Sequence, residues 1–220
     1  MKAFSGHRVL PALLGVVALT ACGSPSKAPS SAPPPPIDRM SEEGPEGYRY
    51  TDADVQFMQN MILHHAQALE MSRRAPGRTE REDILLLARR IERSQGDEIA
   101  LMKRWLEARG EELPESGHHP HEHHGHHAAE REHGVELMAG MLTEAQLDQL
   151  AATEGPEFDR LFLQLMVYHH EGALDMVEEL FSVGGRTAQD PELFQFASHV
   201  NSDQRIEITR MLEMLRAGER

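Results

Sequence analysis

Asp54-Val-Gln-Phe57-Met58-Gln59-Asn-Met61-Ile62-Leu63-His64-His65-Ala-Gln-Ala68-Leu69-Glu70-Met71 returns 105 residues later as Asp159-Arg-Leu-Phe162-Leu163-Gln164-Leu-Met166-Val167-Tyr168-His169-His170-Glu-Gly-Ala173-Leu174-Asp175-Met176. A match at fixed period signals one structural unit used twice. At ~100° per residue, Phe162, Met166, His169, Ala173, Met176, Val177 and Leu180 share one helical arc, with His170 at its edge and Glu171 opposite. The first copy places Phe57, Met61, His64, Ala68 and Met71 on the same arc, with His65 at the edge. Met61 and Met166 stand three and four residues before the two histidines of their own copy, spacings that share a helix face.

Two further helical stretches also match each other. Ala88, Ile91, Gln95, Glu98, Ile99 and Met102 align with Ala197, Val200, Gln204, Glu207, Ile208 and Met211, now at an offset of 109. The sequence therefore predicts four long helices. The first starts at Thr51, where Thr51-x-x-Asp54 has a capping-box pattern, and stops near Arg74. The second starts at Thr79, with Glu82 three residues on, and ends before Gly110, a favourable residue just past a helix. The third opens at Pro156 and stops at Gly184-Gly185, and the fourth runs from Asp190-Pro191 to near Gly218. A short helix over 143–152 precedes the third, and no stretch has a convincing strand pattern. Each hairpin alone would leave an apolar stripe in water, so the expected fold is all-α, a ferritin-like four-helix bundle of two duplicated hairpins.

The flanks read differently. Lys2 and Arg8 precede an apolar run over 9–18, followed by Leu19-Thr20-Ala21-Cys22. This is a signal-peptide pattern that resembles a bacterial lipobox, which implies cleavage after residue 21 and acylation of Cys22. Residues 22–50, including Pro33 to Pro36, read as an extended Pro/Ser-rich tether. The hairpins then occupy 51–110 and 143–220 of a single domain, with an insert over 111–142. The expected location is the cell envelope, lipid-anchored and facing the periplasm or cell exterior. A formal net charge of −14 argues against nucleic acid and suits cations.

The chemistry of the repeat is thioether beside imidazole. Thioethers favour Cu(I), and imidazole suits Cu, Zn, Fe and Ni. The candidate ligands are His64, His65, His169, His170, Met61, Met166, Met71 and Met176, with further thioethers at Met102, Met211 and Met214. Cys22 is the sole cysteine, so neither a disulfide within the chain nor a thiolate cluster is available. The insert carries an accessory set at His118, His119, His121, His123, His124, His126 and His127, interleaved with Pro and Gly. It reads as a loop that binds Cu(II), Zn or Ni through neutral imidazoles.

Two other readings compete. Met at helical spacing also fills cores, and paired histidines also serve a structural or interaction module through hydrogen bonds. A ferritin-like metallo-oxidase needs Glu on two helices and Glu-x-x-His on the other two. Glu98 and Glu207 occupy matched positions, but the four long helices carry no Glu-x-x-His, and Glu130-x-x-His133 lies in the insert. The binding reading is therefore preferred to an enzymatic one.

Gly155-x-x-Phe158-Asp159-x-x-Phe162-Leu163-x-x-Met166-x-x-His169-His170-x-Gly172-Ala173-x-x-Met176, followed by Gln204-x-x-Glu207-Ile208-x-x-Met211, resembles the domain-of-unknown-function 305 family over about residues 51–217. The first copy departs from it, with Ala66-Gln67 where the second has Glu171-Gly172. The resemblance implies a ferritin-like bundle, often exported and in some members linked to copper. It carries a metal role onto His64, His65, His169, His170 and the flanking methionines. The His-rich insert is outside the family pattern.

Overall fold

A computed structural model describes residues 40–43, 47–114, 137–182 and 187–218. Five helices follow two short strands: β1 Met40–Glu43, β2 Arg49–Thr51, α1 Asp52–Arg73, α2 Glu82–Ala108, α3 Glu144–Ala152, α4 Gly155–Ser182 and α5 Pro191–Gly218. The expected all-α architecture holds, with α1–α2 and α4–α5 as two hairpins joined through α1 and α4. The strands were not foreseen. They form a small antiparallel ribbon that pairs Met40 with Thr51 and Glu43 with Arg49, so part of the stretch read as tether carries regular backbone.

The helix starts show which local signals were sound. Thr51 caps α1 and Thr143 caps α3, each through a reciprocal capping box, with Asp54 and Gln146 respectively. The Thr79-x-x-Glu82 pattern misled. α2 begins at Glu82 after Arg81, with no side-chain cap, because the Thr79 hydroxyl accepts from the Arg81 amide at 3.0 Å within the turn. α5 is better held. Asp190 Oδ1 accepts from the Glu192 and Leu193 amides, and its carboxylate also receives Trp105 Nε1–H at 3.3 Å and the Arg109 guanidinium. The Arg109 guanidinium lies 4.1 Å over the Trp105 ring, and Tyr50 meets that ring edge-on at 5.5 Å.

The core divides into two apolar clusters. One contains Phe57, Met58, Met61, Met102, Trp105, Met176 and Phe196. The other contains Met71, Ile84, Phe158, Phe162, Met166, Met211 and Met214. α1 and α4 contribute to both from opposite ends, as the internal repeat requires. Between their contributions along each helix stands a layer of polar side chains.

Candidate metal centre

That layer holds all four histidines of the repeat, each fully buried. The ring centroids of His64 and His169 are 3.8 Å apart at 38°, so the two copies of the motif meet at their inner histidines. The outer pair sits against the flanking helices instead. His65 Nε2–H donates to Glu98 Oε2 at 2.6 Å, and His170 Nε2–H donates to Glu207 Oε2 at 2.8 Å. Both outer rings, expected at the edge of the arc, are therefore interior and held by carboxylates.

These partners decide which ring nitrogens are free. A carboxylate or carbonyl only accepts. His64 Nε2–H donates to the Ala139 carbonyl at 3.1 Å, so in the neutral ring the lone pair is on Nδ1. The same logic puts the lone pair of neutral His65 and His170 on Nδ1. All three Nδ1 atoms are buried without a hydrogen-bond partner. His169 lies near the His64 backbone, yet neither of its ring nitrogens makes a hydrogen bond of normal geometry. Gln95 and Gln204, matched residues of α2 and α5, are buried with both amide atoms unpartnered. Each buried polar atom left so costs roughly 1–3 kcal/mol, a cost that a bound metal or an ordered water in contact with these atoms would offset.

The inner rings are poor cations. Burial pulls His64 down to about 3, with His65 acting in the same direction against the Ala139 hydrogen bond. Burial likewise holds His169 well below the usual histidine value, aided by the neighbouring His64. A neutral imidazole is the form that binds a metal.

The thioethers fall on both sides of this layer. Met61 and Met176 belong to the first apolar cluster, joined by Met102 from α2. Met166 and Met71 belong to the second, joined by Met211 and Met214 from α5. The eight predicted ligands thus do not surround one point. They form an imidazole layer with a methionine set above and below. Among the described residues, no three His, Cys, Asp or Glu side chains are grouped to hold a metal unaided. A metal here would draw on imidazole together with thioether, and the donor types present fit copper.

The segment 137–143 closes one side of the layer, and sequence reasoning missed it. Besides Ala139 on His64, the Leu142 amide donates to Gln67 Oε1 at 2.7 Å, and Gln67 Nε2 donates to the Leu142 carbonyl at 3.0 Å. Residues 139 and 140 also press against α4. A Cβ on Gly172 would lie 2.3 Å from the Ala139 carbonyl and from Gly140 Cα. Gly140 has φ +74, and a Cβ there would meet Gly172 Cα and the His169 carbonyl at 2.7 Å. Residues assigned to the insert thus belong to the bundle. The departure of Gln67 from the second copy was the available signal. His118, His119, His121, His123, His124, His126, His127 and His133 lie outside the described residues, as do Cys22, the signal peptide, most of the tether and Gly184-Gly185.

The model of the family described as "Domain of unknown function (DUF305)" matches residues 54–215. The chain belongs to the DUF305 family. Solved structures agree. A DUF305 fragment from Deinococcus radiodurans is 27% identical with a TM-score of 0.62, over 76% of this chain and 98% of that one. A DUF305 protein of Streptomyces coelicolor, described as secreted, is 26% identical with a TM-score of 0.61, over 76% and 94%. CopM in its Cu(I)-bound form is 25% identical with a TM-score of 0.54, over 74% and 96%, and its Cu(II)-bound form is similar to the same extent over 74% and 97%. No curated protein matches the chain.

Proposed function

We propose that this DUF305 protein binds copper in its helical bundle and serves the cell envelope as a buffer or carrier of the ion. The observation that carries this reading is the buried layer of four imidazoles between two methionine sets, with three Nδ1 atoms and both His169 nitrogens lacking partners. Similarity to CopM, solved with Cu(I) and with Cu(II), supports it. In this reading His64, His65, His169 and His170 supply imidazole, and Met61, Met166, Met71 and Met176 supply thioether. Glu98 and Glu207 orient the outer rings, as carboxylates commonly do for metal-bound histidine.

The finer points are part of the same proposal. The lipobox-like Cys22 anchors the chain to a membrane by acylation, and the tether lifts the bundle away from it. Similarity to a relative described as secreted supports a location outside the cytoplasm. No helix among the described residues is long and apolar enough to cross a membrane. The His-rich insert, through His118 to His127, captures Cu(II), Zn or Ni loosely, and passes copper to the bundle.

The test is a Cu(I) competition titration of the chain lacking 117–133, beside the same chain carrying His64→Ala and His169→Ala. Tight binding lost in the double variant is the expected result. No tight binding in the parent would reduce the histidine layer to a packing device. Unchanged loading rates without residues 117–133 would remove the capture role.

A further inference from the structure

One covering element touches both histidine-bearing helices at once. Residues 138–142 reach α1 through Ala139 on His64 and Leu142 on Gln67. They reach α4 where Gly172 lacks a side chain, one turn from His169. The turn is closed by the Met141 amide on the Met138 carbonyl at 3.0 Å, and Leu142 is buried. α3 follows at once behind its Thr143 cap, which fixes the downstream end. The layer's opposite flank is occupied by α2 and α5, whose Glu98 and Glu207 hold the outer rings.

We infer that residues 138–142 are a latch controlling passage of the metal to and from the inner histidines, with Gln67 as its clasp and Gly172 as its seat. This rests on the copper-binding reading of the same layer. Gln67 and Gly172 occupy equivalent places in the two copies of the motif, and both serve the latch. Gln67 holds it with two backbone hydrogen bonds, and Gly172 yields the space in which its backbone lies. When the latch is shut, the Ala139 carbonyl occupies His64 Nε2–H and leaves Nδ1 as the nitrogen whose lone pair would bind a metal. Opening breaks that bond and the two at Leu142, without unwinding any helix. Gln67 is thus a positioning residue, acting on His64 through the backbone of 139–142.

The experiment measures transfer of Cu(I) from the loaded, full-length protein to a coloured Cu(I) chelator in excess. It also measures hydrogen exchange of the Leu142 amide in the metal-free protein. Gln67→Ala removes both clasp bonds and should raise the open population, and so the transfer rate, about tenfold, at unchanged copper stoichiometry. Gly172→Ala should act in the same direction by displacing residues 139 and 140. Thr51→Ala weakens the far end of α1 without touching the latch, and should leave the rate unchanged. Faster Leu142 exchange in Gln67→Ala with an unaltered transfer rate would overturn the proposal, as would equal acceleration by Thr51→Ala. A parent protein that takes up no Cu(I) would sink the copper-binding reading first, and the latch with it, and that failure is visible before any variant is made.

Discussion

The two halves of this protein agree inside and differ at their edges. His64 faces His169, His65 and His170 each meet a glutamate, and each apolar cluster takes methionines from both copies. At the periphery the correspondence fails. Asp190 caps α5 and anchors Arg109 and Trp105, whereas its counterpart before α2 is Arg81, which bonds Asp83 and caps nothing. Glu207 is nearly buried and is also approached by Arg90 at 3.5 Å, while Glu98 is about one-fifth exposed, at 21%. Gln67 grips a strand of backbone for which Gly172 makes room. Duplication preserved the histidine layer, and divergence worked on its periphery and on anchoring.

The largest test of that asymmetry is at the helix starts. Asp190→Ala leaves the buried Arg109 guanidinium without its carboxylate and removes the α5 cap. Breaking a buried ion pair from one side costs about 3–5 kcal/mol, so urea unfolding should show a loss of that size. Arg81→Ala, at the equivalent position but with a half-exposed partner, should lose less than about 1 kcal/mol.

Next comes the inner imidazole of the first copy. The inner His64 is held neutral down to about pH 3 in the fold, against an ordinary value of 6.5 when unfolded. Its lowered value means that the unfolded chain takes up the proton first. Stability should be fully present above about pH 6.5 and fall as pH drops toward 3. The slope is about 1.4 kcal/mol per pH unit for this group, or roughly 2 kcal/mol by pH 5. Urea melts of chelator-treated protein at pH 7.5 and 5 would show it, and His64→Gln should remove this share of the difference while that of His169 remains.

A smaller effect separates the two glutamates. Glu207→Ala strands a buried His170 N–H and should cost roughly 1–3 kcal/mol. Glu98→Ala should cost less, since water can reach that side of His65. Equal losses in thermal melts would mean the difference in exposure has no energetic weight. Smallest of all, Thr51→Ala should cost about 1 kcal/mol through the lost capping box. Pro156→Ala, at the matching position of α4, should be within about 0.5 kcal/mol of neutral.

What the sequence could reveal follows the same division. Period and offset located four long helices and the layer where both copies of the motif meet, because buried helical faces must repeat every three to four residues. Capping patterns placed the start of α1. They failed at α2, since a Thr can bond within its own turn as readily as to a helix. The ribbon at Met40–Glu43 has no alternation to betray it. Residues 138–142 are too short for any period, and their role depends on backbone meeting Gly172, which no residue type among them announces. Glu98 and Glu207 were noticed as a matched pair, but only the packing of α2 on α1 and of α5 on α4 shows that each belongs to a histidine.

Trp105 is the sole tryptophan of the chain, and it is fully buried between Tyr50, Arg109 and the Asp190 carboxylate. Its emission therefore comes from one known place, where the end of α2 meets the start of α5. The protein carries a built-in fluorophore for the junction of its two hairpins. A shift of that emission to longer wavelength reports that the halves have parted, even while each retains its helices.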